Sequence, residues 1–181
     1  MKTLSIKTFI SLGLLFVISY STTLFAADKK LEQEYHFKLG TWHIEAKSMN
    51  PDRTYNKGVG TSNVYYMHDK QVIQDDLKVE FEDGTVSMGS TMRTFDGNNN
   101  VWHITWIGTH AASGSGQGIY QKGQQFIEEF TGSDQYGNFI DTMTFSIKSK
   151  NKFTAKLNRT YLNGNVNIGD VWSYSATRVT K

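Results

Sequence analysis

Apolar and polar residues alternate along most of the chain from residue 41 onward, with the period of two that half-buried β-strands require. Turn-forming residues separate the alternating runs, and two runs end at Asp83-Gly84 and Asp96-Gly97, which are typical of tight hairpins. We count about ten runs at hairpin spacing. One earlier segment, residues 28–37, has the spacing of a short helix. The pattern predicts an all-β fold: an antiparallel up-and-down barrel of about ten strands with a short N-terminal helix.

The same alternation places charged residues on the apolar side of five strands, namely Asp75, Glu128, Asp141, Arg159 and Arg178. An unpaired buried charge costs several kcal/mol or more. These side chains must therefore pair across the barrel interior or border a water-filled cavity. The sequence leaves both interpretations open.

Large apolar side chains on these faces predict the wall of a ligand cavity. The predicted wall consists of Met88, Met92, Trp102, Trp106, Phe126, Phe145, Trp172 and Tyr174. Two tryptophans on one face of a strand would form a flat platform for an aromatic or acyl ligand, unless they only fill the core. The polar residues predicted to orient the ligand or to hold a water network are Asp75, Glu128, Asp141 and Arg159.

The first strand opens with Gly40-Thr41-Trp42. Glycine allows the backbone to turn sharply at little steric cost. Trp42 then offers a large flat side chain that can plug one end of a barrel, with a ring N–H that needs a hydrogen-bond partner. This stretch therefore predicts the closed end of the barrel.

The first 26 residues predict a signal peptide. Lys2 and Lys7 precede a largely apolar stretch over residues 9–25, and the small residues Ala26 and Ala27 are typical of a signal-peptidase site. A retained transmembrane anchor is the alternative, although this stretch is marginal for a span of about 20 residues. We expect cleavage after Ala26 and a periplasmic location, with secretion as the alternative.

Cleavage would leave residues 27–181 as one single domain with 17 basic and 17 acidic side chains, because two of the 19 lysines and arginines lie in the signal segment. A domain near neutrality predicts neither nucleic acid nor an anionic membrane as a partner. The chain has no cysteine, which excludes disulfides and thiolate metal sites. The histidines lack metal-site spacing, and no nucleophile motif is present, so we expect no metal and no cofactor.

Phe37, Leu39, Gly40 and Trp42 form a phenylalanine-x-leucine-glycine-x-tryptophan pattern, and Arg178 lies near the end of the chain. With about ten strands between them, the chain resembles the lipocalin-like (calycin) barrels, and more narrowly a family of bacterial lipocalin-like domains. In lipocalins an arginine on the last strand packs over the early tryptophan. The resemblance implies that Arg178 packs over Trp42 in this way, as a structural contact that closes the barrel.

We therefore predict an exported protein, monomeric or homodimeric, that holds a small, partly apolar molecule in the barrel lumen. A calycin-type enzyme (isomerase, cyclase or hydrolase) is one alternative. Its catalytic residues are unknown, and the candidates for acid–base work are Asp75, Glu128 and Asp141. A structural or interaction protein with a filled barrel is the other alternative, with an outer apolar stripe of Val64, Tyr66 and Val72.

Overall fold

The computed structural model describes residues 34–109, 114–120 and 125–180. In these ranges ten strands form one closed antiparallel barrel, in which each strand pairs with its neighbours in sequence and the first pairs with the last. The strands are β1 (Gly40–Met49), β2 (Tyr55–Met67), β3 (Val72–Phe81), β4 (Val86–Asp96), β5 (Val101–Gly108), β6 (Gly114–Tyr120), β7 (Gln125–Asp134), β8 (Gly137–Ser149), β9 (Lys152–Tyr161) and β10 (Val166–Arg178). The prediction of an all-β up-and-down barrel is confirmed.

The chain enters the barrel through a single 3₁₀ turn, His36–Lys38. The predicted signal segment 1–26 and residues 28–33 of the predicted helix lie outside the described residues, so both stay predictions. No helix in the described part of the chain is long and apolar enough to cross a membrane.

The hydrophobic core fills one end of the barrel, which we call the closed end. Residues directly opposite one another on paired strands share a face, and this rule brings Ile44 of β1 beside Ala176 of β10, and Phe145 of β8 beside Ala155 of β9. Each of these side chains is at most 2% exposed. The 3₁₀ turn lies across this end, because Tyr35 is only 2% exposed and belongs to the same core.

The prediction that Met88 and Met92 line the lumen is wrong. On β4 the buried residues are Thr91 and Arg93, which pair with Asp75 and Ile73 of β3. The two methionines alternate with them and therefore lie on the outer face of the barrel. The β3–β4 connection explains the error. Phe81 N–H donates to the carbonyl of Thr85, which leaves three residues in the loop instead of two and reverses the faces of β4.

The predicted outer stripe is also wrong at Val64 and Tyr66. Val64 is 4% exposed and pairs with Asp75, while Tyr66 pairs with Ile73 and packs against the core. Both side chains therefore face inward. Val72 pairs with Met67 and lies on the opposite face of β3 from Ile73. No continuous outer stripe is formed by these three residues.

A candidate ligand site in the barrel lumen

Trp42 and Arg178 seal the closed end. They are direct neighbours across β1 and β10, and the guanidinium carbon of Arg178 lies 4.2 Å from the Trp42 ring centroid. Arg178 also donates to the carbonyl of Leu39 at 2.5 Å, and the Trp42 ring N–H donates to the carbonyl of Lys38 at 2.6 Å. The Trp42 ring N–H therefore has its hydrogen-bond partner in the turn preceding β1. Through Trp42 and Arg178, this segment is bonded to both the first and the last strand.

Gly40 permits this seal for two reasons. Its φ is +115°, in the region that favours glycine, and a Cβ placed there would collide with Nη1 of Arg178. A larger residue would therefore strain the backbone and displace the arginine from Trp42.

Four buried charges lie directly above the seal, and we call them the floor network: Lys38, Asp75, Arg93 and Glu128. Arg93 donates two hydrogen bonds to Glu128, from Nε to Oε1 at 2.6 Å and from Nη2 to Oε2 at 3.1 Å. Lys38 Nζ lies 2.9 Å from Oδ2 of Asp75, and Nη1 of Arg93 lies 3.7 Å from the same oxygen. Two positive and two negative groups compensate one another, which is what allows them to be buried.

The groups around Asp75 keep its carboxylate ionised. Burial opposes ionisation of Asp75, but Lys38, Arg93 and the Ser62 hydroxyl outweigh it and hold the pKa of Asp75 below its usual value. The Ser62 hydroxyl donates to Oδ1 of Asp75 at 2.6 Å. Burial lowers the pKa of Lys38, with Arg93 acting in the same direction and Asp75 against it. A carboxylate held in this way is a poor proton acceptor at neutral pH.

Between the floor network and the loops at the opposite end, which we call the mouth, the lumen is open. The cavity has a volume of about 1240 Å³. Its wall is largely aromatic and aliphatic, and includes Leu77, Trp106, Phe130, Phe139, Met143, Phe145, Leu157, Trp172 and Tyr174. The connections β1–β2, β7–β8 and β9–β10 form the mouth, with Asn50, Tyr136 and Asn163 at its edge.

A second charged cluster lies at the mouth. Arg159 donates from Nε and Nη2 to the two oxygens of Asp141 at 2.7 and 2.8 Å, and from Nη1 to Asp134 at 3.1 Å. Its guanidinium carbon lies 3.6 Å from the ring centroid of Phe139, and the Tyr161 hydroxyl donates to Asp134 at 2.8 Å. Arg159 is therefore oriented by two carboxylates and a ring before any ligand arrives.

The structure distributes the sequence-predicted residues among three places. The cavity wall contains Asp75, Trp106, Glu128, Asp141, Phe145, Arg159, Trp172 and Tyr174. Trp102 and Phe126 instead lie in the closed end, where both rings contact Tyr35 at centroid distances of 4.7 and 5.8 Å. Met88 and Met92 lie outside, as described above.

Two members of the floor network, Lys38 and Arg93, were not predicted from the sequence. Lys38 precedes β1, in a turn where no alternation assigns a face. Arg93 is on the inner face of β4, the strand whose faces the sequence assigned in reverse. Assigning three residues, Glu82, Asp83 and Gly84, to the β3–β4 loop would have placed Arg93 on the inner face.

Metal ligands are not clustered in the described residues, where no group of three or more histidine, aspartate or glutamate side chains is arranged to hold an ion. The acidic residues of the lumen are instead paired with arginine or lysine.

Comparison with solved structures agrees with the fold. The chain is similar to the S-type phycobiliprotein lyase CPES from Guillardia theta, with a TM-score of 0.56 and 12% identity over 85% of this chain and 98% of that chain. A structure of EF1p2_mFAP2b bound to DFHBI has a TM-score of 0.45 and 11% identity over 82% of this chain and 99% of that chain. No protein-family model and no curated protein sequence matches the chain. At 12% identity the likeness to CPES shows the fold alone, a lipocalin-like barrel.

Proposed function

We propose that the protein binds a small, partly apolar molecule in its lumen. The observation that carries this proposal is the cavity of about 1240 Å³, sealed at one end by Trp42 and Arg178 and open at the other. Ligand pockets usually measure about 300–1000 Å³, with an apolar lining and a few fixed polar groups. The aromatic wall supplies the lining, and the floor network and Arg159 are fixed polar groups that border it.

The two alternatives receive less support from the geometry. A barrel that served only as a structural or interaction module would have its lumen filled, whereas side chains fill only the closed end. An enzyme using barrel carboxylates would need one of them available for proton transfer. Asp75 is paired with Lys38, Glu128 with Arg93, and Asp141 with Arg159.

The proposal is tested with N-phenyl-1-naphthylamine, a neutral dye that fluoresces in apolar surroundings, together with native mass spectrometry of the protein from its own host. We expect saturable dye binding in the wild type, weakened about tenfold or more by Leu157→Trp, which fills the middle of the lumen. Lys156→Trp is the matched control, because Lys156 is the next residue along β9 and is exposed on the outer face. It should bind the dye as the wild type does.

The proposal fails if the wild-type protein binds no dye and carries no co-purifying small molecule. It also fails if Leu157→Trp and Lys156→Trp bind the dye equally well, since binding would then occur outside the lumen. Thermal melting of both variants establishes that each is folded before the comparison is made.

We also infer that the chain is exported to the periplasm after cleavage behind Ala26, and that it belongs to the bacterial lipocalin-like domains that its Phe37-to-Trp42 motif resembles. The basic start, apolar stretch and small residues support the first inference. Intact mass of the protein recovered from the periplasmic fraction tests it. A species beginning at Met1 in the membrane fraction would contradict cleavage.

A further inference from the structure

Some polar groups at the inner end of the cavity are already paired with one another, and others are free to bind a ligand. The floor network contains two cations and two anions in contact with one another, so it holds no surplus positive charge for an anionic ligand. Nη1 of Arg93 forms no hydrogen bond to the described residues, but this atom is buried and faces Asp75 at 3.7 Å. A ligand could reach it only by displacing the floor.

Tyr174 is a polar group beside the floor network that remains available. It lies on the inner face of β10, opposite Ala46 and Ala155, and lines the cavity. Within the described ranges its hydroxyl takes part in no hydrogen bond. Burial, together with the negative charges of Asp75 and Glu128, raises the pKa of Tyr174 well above its usual value, so the group stays a neutral hydroxyl.

The mouth does not favour an anion either. Arg159 is shared between Asp141 and Asp134, so that cluster carries one more negative charge than positive. Arg53 also borders the cavity, but it is exposed, and exposed ion pairs contribute little to binding. A fatty acid entering tail first would therefore gain little from its carboxylate at the mouth.

We propose that the lumen selects an uncharged ligand whose inner end carries a hydroxyl or carbonyl oxygen, and that this oxygen hydrogen-bonds to the hydroxyl of Tyr174. The inference rests on the proposed binding of a small molecule in the lumen. It adds the chemical class of that molecule and the residue that recognises its polar end.

Displacement of N-phenyl-1-naphthylamine by dodecan-1-ol and by dodecanoate at pH 7.5 tests the ligand class. The two probes share a chain and differ in the charge of the head group. We expect the concentration of dodecan-1-ol that displaces half of the dye to be at least about tenfold lower than that of dodecanoate. Dodecanoate would have to bury an uncompensated charge or leave its head group in water. Equal or stronger displacement by dodecanoate overturns the proposal. Loss of that displacement in Arg53→Gln would then place the carboxylate at the mouth.

Tyr174→Phe tests the recognising residue. Loss of one hydrogen bond should weaken dodecan-1-ol by roughly two- to tenfold and leave dodecanoate unchanged. Tyr65→Phe makes the same chemical change on the outer face and should alter neither. An unchanged dodecan-1-ol affinity in Tyr174→Phe overturns the contact.

The two proposals fail differently. If dye binds but the alcohol has no advantage, the ligand class is wrong and binding in the lumen stands. If no dye binds at all and no small molecule co-purifies, binding in the lumen is itself wrong. The wild-type comparison of alcohol and acid decides the class even if Tyr174→Phe does not fold.

Discussion

At the scale of single residues, the floor network is the most demanding feature of the molecule. Arg93 and Glu128 are 2% and 1% exposed, so their charges have almost no water to solvate them. Their mutual hydrogen bonds replace that solvation, and the pair is therefore far more costly to break than to keep. The arrangement specifies the closed end, since a slipped β4 would leave Glu128 alone in the core.

Replacing Arg93 by methionine tests this cost. Arg93→Met removes one partner and leaves Glu128 as an uncompensated buried charge, so the free energy of unfolding should fall by about 3–5 kcal/mol. Urea denaturation followed by tryptophan fluorescence measures the change. Lys78→Met is the control, because it breaks an ion pair of similar length, 2.6 Å to Glu80, between exposed side chains. A control variant as unstable as Arg93→Met would contradict the role of burial.

At the scale of elements, the hairpin loops decide which residues face the lumen. The sequence predicted strands and turns well because alternation and turn residues are local signals. It assigned the faces of β8, β9 and β10 correctly, since each of these strands has clearly larger apolar residues on one side. On β4 the apolar residues Val86, Met88 and Met92 lie on the outer face, so alternation indicated the wrong side. The faces are set by one extra loop residue at Gly84, where φ is +83°.

The site was less predictable than the fold because it is assembled by contacts between distant segments. Asp75, Glu128 and Asp141 were found from alternation alone. Their partners were harder to find. Lys38 lies 37 residues from Asp75 along the chain, and Arg93 and Glu128 lie 35 residues apart. A cavity is also a property of how far side chains reach across the barrel, and no single strand carries that information.

The turn into β1 provides a prediction about an element boundary. Gly40→Ala would place a Cβ in a left-handed conformation and against Arg178, so we expect a loss of about 2–4 kcal/mol from backbone strain and the lost contact with Trp42. Gly84→Ala shares the positive φ but meets nothing nearby, so it should cost only about 1 kcal/mol. Chemical denaturation of the two variants provides the comparison. Equal losses would mean that the approach of Arg178 contributes nothing.

At the scale of the whole molecule, the contacts that stabilise the fold and the cavity proposed to bind a ligand lie toward opposite ends of one barrel. The closed end holds the core, the seal and the floor network, while the middle and the mouth leave space for a ligand. Cavity-lining residues such as Leu157 can therefore change without removing the contacts that hold the sheet closed. The carboxylates are distributed over the whole molecule, and this makes its stability sensitive to acid.

Several carboxylates contribute to that sensitivity. Asp75 was discussed above. Burial opposes ionisation of Asp76, but hydrogen bonds from Ser90, Gln74 and Tyr65 lower its pKa, and donors around Asp170, chiefly Lys47, lower the pKa of that residue against burial. Each folded-state pKa lies below the unfolded value of about 3.9. Between the two values the unfolded chain binds more protons, so stability is fully present above about pH 5 and is lost as the pH falls through the folded pKa values.

The free energy of unfolding should therefore change little, as far as these carboxylates determine it, from pH 7 to about pH 5, and fall steeply below about pH 4. Urea titrations at several pH values, read by tryptophan fluorescence, measure this profile. Asp75→Asn should lower stability at pH 7, because Lys38 loses its partner. Its difference from the wild type should shrink as the pH falls below about 4, because Asp75 then takes up a proton in the unfolded wild-type chain and, at lower pH, in the folded one. Asp69→Asn, in the exposed β2–β3 turn, should follow the wild-type profile throughout. A constant difference between Asp75→Asn and the wild type down to pH 2 would mean that the ionisation of Asp75 does not stabilise the barrel, and the floor network would then act through packing alone.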